Sequence, residues 1–315
     1  MSENSLCDRF EEFIHQCENV AVLRPETIKG YRAAFHILTT IAPDANMETI
    51  QDTKFITAFF TNLRTRSRPV GKKFVQGVKK STTATYHSKL RSFFKWLKQN
   101  KYITENPFEM IKAPNVEYLD RKFLNKEDVH KLFYACGFQI HWDDEFIRRR
   151  NMAILAVLLY CGLRKGELLA LEVRDFDFER RQLTVRGETS KSKFNRVIPI
   201  NDEAIIIIQD YIASRKTRDL SSRSMWVSQE EDRTLSKDGL KHVIQKLNDD
   251  SGVRFHVHQL RHTFATNLLA NGTNLAIIQQ CMGHKDIRMT SKYVRAFPAN
   301  EMRNDLNSLS FDGLI

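Results

Sequence analysis

Between Asp52 and Glu105 the chain carries no acidic residue, while thirteen lysines and arginines fall in that stretch. Solvated surfaces normally mix both signs. The absence therefore argues against an ordinary exposed face and, with a formal net charge of +11 over 315 residues, points to a polyanionic partner. The five cysteines (Cys7, Cys17, Cys136, Cys161 and Cys281) include no CxxC pair, which speaks against a disulfide framework and a structural zinc site and suits a reducing cytosol. The longest apolar run, AILAVLLYCGL (153–163), is too short to span a bilayer. The first residues, MSENSLCDRF, lack the charged-then-apolar layout of a signal peptide. The expectation is a soluble cytoplasmic protein without a membrane partner. A GxxxxGK[ST] loop is also absent, which argues against a bound nucleotide of that kind.

What is present suffices for two domains, with 42% hydrophobic residues to build their cores. Residues 8–20, 25–41 and 52–64 carry apolar side chains at helical spacing, and Pro25 stands where a first helical turn tolerates it. The segment RTRSRPVGKKFVQGVKK (64–80) breaks that pattern and reads as a basic loop. The next helix, STTATYHSKLRSFFKWLKQN (81–100), is expected to start at a Ser/Thr cap, with Tyr86, Leu90, Phe93, Phe94 and Leu97 on one stripe. Arg64, Arg66, Arg68, Lys72, Lys73, Lys79, Lys80, Lys89 and Lys95 are the candidate phosphate-contacting residues of this half. Two prolines without a clear period place a boundary near residue 115, giving domains 1–115 and 116–315. The second half reads as a helix from Asn125, an apolar helix over 148–161, and a short helix after Arg164. Two strands follow over 181–187 and 195–200 as a hairpin, then helices over 202–214, 236–249, 258–270, 274–282 and 290–297. The run Ile205 to Ile208 reads as buried core.

Three clusters carry chemistry. In HVHQLRHTFATNLLANG (256–272), His258, Arg261 and His262 fall at i, i+3 and i+4, on one helix face. In CGLRKGELLAL (161–171), Gly162 can end a helix with a left-handed residue, and Glu167 stands three positions after Arg164, placed to fix its fork. A guanidinium held in this way presents two donors to a phosphate. In CMGHKDIRMTSKYVRAF (281–297), Gly283 ends a helix, His284 projects from the turn, and Tyr293 follows nine residues later. A tyrosine has a pKa of about 10 and needs a positive field or a base before it attacks anything.

GLRKGELLAL, then HQLRH, then GH and a tyrosine nine residues on, in this order, resemble the catalytic signature of the tyrosine recombinases, or phage integrases. Residues 81–115 also resemble the end of that family's core-binding domain. The resemblance implies a mainly α protein: an N-terminal helical, SAM-like core-binding domain and an α+β catalytic domain with a small antiparallel sheet, together a C-shaped clamp on DNA. It implies that Arg164 and Arg261 grip the scissile phosphate, that His258 and His284 assist, and that Tyr293 is the nucleophile. Lys191 is the best match to the hairpin lysine that protonates the leaving oxygen, with Lys193 the alternative. Glu167 and His262 would be supports. The reaction would need no cofactor and no metal. Partners implied are double-stranded DNA, a homotetramer on two sites, and an accessory DNA-bending or directionality protein, in a nucleoid-associated setting. The early start of the helical domain suggests a compact Xer-like or element-borne type without an arm-binding domain. The tail residues Met302, Leu306, Leu309 and Phe311, at roughly helical spacing, would dock on a neighbouring protomer.

Rival readings use the same residues. A topoisomerase-like enzyme would use Tyr293 without exchanging strands. A HUH-type nuclease would hold a divalent metal between His256 and His258, provided both lie on a strand at period two. A DNA-binding protein without catalysis would not need the full set.

Overall fold

Ser5 opens the first helix by accepting from the Asp8 N–H while the Asp8 carboxylate reaches back to the Ser5 N–H, a reciprocal cap. The computed structural model describes residues 5–71, 73–116, 123–190, 193–228, 232–291 and 293. The chain divides into two units, residues 1–118 and 119–315. The first holds α1 (Leu6–Asn19), α2 (Pro25–Ile41), α3 (Thr53–Thr65) and α4 (Lys80–Gln99). Their apolar stripes meet in an aromatic core. Phe10 stacks on Phe35 with centroids 3.9 Å apart, and Phe93 stands edge-on to both at 5.2 and 5.8 Å. Each such pair adds about 0.5–1.5 kcal/mol beyond its buried area. Leu90, Phe93, Phe94 and Leu97 of α4 are buried as their spacing requires.

Two expectations for this unit are corrected. The basic segment is not a loop: β1 (Ser67–Val70) pairs antiparallel with β2 (Lys73–Gln76), Val70 opposite Lys73. Gly71, at φ +60°, opens the two-residue turn between them, where a positive φ matches the twist of the strands. The segment has no alternating apolar pattern, and no described side chain of the hairpin is buried. Nor does α4 start at a Ser/Thr cap. Lys79 precedes its first residue without a side-chain cap, and the Thr85 hydroxyl donates back to the Ser81 carbonyl inside the helix at 2.9 Å.

The second unit is built around α6 (Glu145–Cys161), which is buried on nearly every side and packs on α8 (Asp202–Thr217) and α10 (Val257–Ala270). Before it comes α5 (Lys126–Tyr134), capped by Asn125. After it come α7 (Lys165–Leu169) and an antiparallel sheet of order β3-β4-β5: β3 (Phe176–Asp177), which the sequence did not reveal, β4 (Gln182–Val185) and β5 (Arg196–Pro199). Leu183 faces Ile198 across the β4–β5 ladder, and both are buried. The remaining helices are α9 (Lys237–Ser251) and α11 (Leu275–Met282). The Ile205 to Ile208 run is only partly core. Ile205 and Ile208 are buried but Ile206 is exposed, since one helical turn cannot point four consecutive side chains the same way. Residues 294–297 of the last expected helix, and the tail from 301, lie outside the described residues. Among the described residues, no helix is long and apolar enough to cross a membrane.

Candidate active site

Gly162 ends α6 in the left-handed conformation at φ +60°, and a Cβ there would meet the Phe264 ring at 2.2 Å. The turn buries Leu163 and delivers Arg164 to the first residue before α7. From there the Arg164 N–H donates to Glu167 Oε2 at 2.9 Å, Nη1 donates to Glu167 Oε1 at 2.8 Å, and Nη2 reaches the Gly283 carbonyl at 3.3 Å. The expected pairing of Arg164 with Glu167 is present, and it leaves the Arg164 side chain 24% exposed.

Glu167 itself is 2% exposed and holds more than one arginine. Arg196 Nη2 donates to its Oε2 at 2.7 Å and Arg196 Nη1 to its Oε1 at 3.2 Å, while Arg196 Nε donates to the Cys281 carbonyl at 2.9 Å. Burial pushes the Glu167 carboxyl up, but the hydrogen bond and charge of Arg196, with the N–H and charge of Arg164, outweigh it and hold the pKa at about 2. Arg196 was missed in the sequence, although its signal is there. On β5 it shares the inward face with Ile198, so a period-two reading puts one charged residue on an otherwise apolar face.

Arg261, from α10, completes the cluster. Only 1% of its surface is exposed; Nη1 donates to the Gly162 carbonyl at 2.6 Å and Nη2 to the Met282 carbonyl, with His284 Nε2 3.2 Å from Nη2. Burial, then the charge of Arg164 and, more weakly, of Arg196, push its pKa down to about 9 against the pull of Glu167, so it is still charged at pH 7. His284 is pushed down to about 4, by burial first and then by Arg261, Arg164 and Arg196. A neutral imidazole accepts at Nε2 from Arg261, so Nδ1 carries the proton and donates to Thr290 Oγ1 at 2.8 Å. Thr290 is fully buried and is a second residue that no sequence motif marked. Tyr293, 6% exposed, packs beside this network. Its ring lies 5.2 Å from His262 and 6.5 Å from His284, and His258 stands edge-on to His262 at 4.7 Å.

The structure thus brings together Arg164, Glu167, His258, Arg261, His262, His284 and Tyr293. Three guanidinium groups surround one carboxylate, a fixed positive field that suits an anion. Lys191 and Lys72 lie outside the described residues. Lys193 is exposed, with φ +62°. In the first unit Arg64, Lys73, Lys79, Lys80 and Lys95 are exposed. Lys89 instead lies over the Tyr31 ring at 4.4 Å, and Arg66 and Arg68 are partly buried, with Arg68 Nε donating to the Gly77 carbonyl at 2.8 Å. The condition for the HUH reading is not met. His256 directly precedes α10 and His258 lies in its first turn, so the two histidines do not alternate along a strand.

One family model, the Phage integrase family, matches residues 122–300. The chain belongs to the phage integrase family. Within that family it is similar to the tyrosine recombinase XerC of Thermodesulfovibrio yellowstonii, 30% identical over 232 residues, covering 71% of this chain and 74% of the relative. It is also similar to XerC of Oceanobacillus iheyensis, 26% identical over 294 residues, covering 91% and 90%. Among solved structures, the Tn1549 transposon integrase in complex with a circular intermediate DNA shares the fold at TM-score 0.74 and 20% identity, covering 98% of this chain and all of that one. A lambda integrase dimer bound to a core site shares it at TM-score 0.68 and 19% identity, covering 92% and 95%. This integrase-family chain is an enzyme of the tyrosine recombinase type.

Proposed function

We propose that this recombinase cleaves and rejoins duplex DNA through a 3′-phosphotyrosine link, with Tyr293 as nucleophile and no metal or nucleotide in the step. The observation that carries the reading is the packing of Tyr293 against a hydrogen-bonded cluster of Arg164, Glu167, Arg196, Arg261 and His284. Solved relatives that hold DNA share the fold, which supports duplex DNA as the partner. In the step, the Tyr293 oxygen bonds phosphorus as its O–H bond breaks, the proton passing to an imidazole of the His258–His262 pair. The bond from phosphorus to the 5′ oxygen breaks, and Lys191 or Lys193 supplies that oxygen's proton. Negative charge gathers on the nonbridging oxygens in the transition state, where Arg164 and Arg261 stabilise it more than they stabilise the ground state. Glu167 and Arg196 hold Arg164 in place. The bonds made and broken are alike, so a new 5′ hydroxyl can reverse the step on another strand without an energy source. Full exchange then takes four protomers on two sites, residues 1–115 gripping DNA and 116–315 cutting it, with direction set by accessory proteins.

The test is incubation of the purified chain in EDTA with a nicked duplex carrying the DNA that flanks its gene. A denaturant-resistant protein–DNA adduct is expected, and it disappears in Tyr293→Phe. An adduct that forms only with magnesium, or that persists in the variant, overturns the reading.

A further inference from the structure

Nearly every described side chain of the β1–β2 hairpin meets solvent: Ser67, Pro69, Lys73, Phe74, Val75 and Gln76 are exposed and Arg68 is half-buried. A two-stranded ribbon with no buried face is marginal in water by itself, so its order comes from its base. There the Gly77 N–H donates to the Arg66 carbonyl at 2.7 Å and Arg68 Nε returns a bond to the Gly77 carbonyl. Gly77 has φ +62°, and a Cβ on it would overlap the Arg64 carbonyl oxygen at 2.0 Å. The chain is closed tightly onto the end of α3 at the ribbon's base.

Opposite residues of an antiparallel pair share a face, so the register puts Ser67, Pro69, Phe74 and Gln76 on one side and Arg68, Lys73 and Val75 on the other. Phe74 is 80% exposed, in a domain whose core is otherwise packed with phenylalanine. Lys73 on the ribbon's other side, and Arg64, Lys79 and Lys80 flanking the ribbon along the chain, are exposed cations in the stretch without any acid. The basic surround disfavours a second copy of the ribbon, which carries the same charge, and favours a polyanion with a readable floor. The major groove of B-DNA, about 12 Å wide, admits a two-stranded ribbon. A phenylalanine there contacts the thymine methyl, and a glutamine pairs with the N6/N7 edge of adenine. Two residues along a strand span about 6.8 Å, close to two base-pair steps of about 3.4 Å.

Resting on the duplex-DNA reading above, we propose that the β1–β2 ribbon enters the major groove with its Pro69–Phe74 side toward the bases, Phe74 against a thymine methyl and Gln76 on an adenine two base pairs away. The exposed lysines and Arg64 hold the flanking phosphates and do not discriminate sequence.

The experiment selects bound duplexes from a random-sequence pool, in a Tyr293→Phe background so that cleavage does not consume them, with Phe74→Ala and Gln76→Ala beside the parent. The parent enriches A·T pairs at two positions two steps apart; Phe74→Ala flattens one preference and Gln76→Ala the other. Replacing the selected thymine by deoxyuridine, which removes only the methyl group, weakens the parent about fourfold, the worth of one buried methyl, and leaves Phe74→Ala unchanged. Both side chains are exposed, so melting temperatures stay at the parent value. Unchanged preferences in both variants, or an equal deoxyuridine penalty with and without Phe74, overturn the groove placement and leave the recombinase reading standing. Intact preferences with weakened self-association identify a second copy as the occupant and overturn it equally. A parent that binds no duplex at all overturns the recombinase reading and the ribbon's role together.

Discussion

The arginines of the candidate active site and the exposed cations on and beside the β1–β2 hairpin carry the same charge and do different physical work. Arg164, Arg196 and Arg261 are oriented by one nearly buried carboxylate and by backbone carbonyls, so each guanidinium has a set direction before any phosphate arrives. Arg64, Lys73, Lys79 and Lys80 stand in solvent. Water and salt screen such charges within about 10 Å, so they favour a nearby polyanion without holding a geometry. Burial turns charge into direction, and exposure leaves it as an undirected attraction that fades over about 10 Å.

Glu167→Gln is the severest challenge to that contrast. Neutralising the carboxylate leaves Arg196 and Arg261 buried beside an uncharged amide, and breaking a buried pair costs about 3–5 kcal/mol. The melting temperature of the catalytic unit should fall by about 10 °C, at about 2–4 °C per kcal/mol for a unit of this size, with adduct formation lost. A calorimetric shift within a degree or two of the parent would mean that the carboxylate does not organise the site.

The next effect is on pH dependence. The folded pKa of His284 is about 4 against an ordinary value of 6.5, so between these values the unfolded state binds more protons and stability falls as pH drops through that window. Glu167, held at about 2 from an ordinary 4.5, contributes stability above pH 4.5 that is lost only as pH falls further toward 2. Urea unfolding from pH 7 to 4 should therefore decline less steeply in His284→Asn than in the parent, and parallel curves would remove His284 from the network. The mildest change is at the exposed cations on and beside the hairpin. Replacing Arg64, Lys73, Lys79 and Lys80 by glutamine should leave the unfolding free energy within about 0.5 kcal/mol while reducing the salt slope of DNA binding by up to about 3 to 4 units, at ~0.9 per phosphate contact. A lower melting temperature with an unchanged slope would reverse the roles assigned to the two regions.

Much of the site was legible because its parts are local. A left-handed Gly162, a glutamate three residues after Arg164, and His258, Arg261 and His262 on one helix face follow from short-range geometry. Arg196 was harder to see, because its partner Glu167 is 29 positions earlier, in α7, and only tertiary packing brings α7 and β5 together. The β1–β2 hairpin was hidden for the opposite reason: none of its described side chains is buried, and no alternation of apolar residues marks its strands.

The amino-acid order by itself determined the periodic helices, the glycine stops and the roster of charged and nucleophilic groups, since each depends on neighbours within a turn or two. Tertiary structure alone decided which charges would be dry. Arg164 and Arg261 look equivalent as residues, yet one remains 24% exposed and the other 1%. The strength and direction of a charge depend on how much water surrounds it, and that is set by α6, α10, α11 and β5 closing over Glu167.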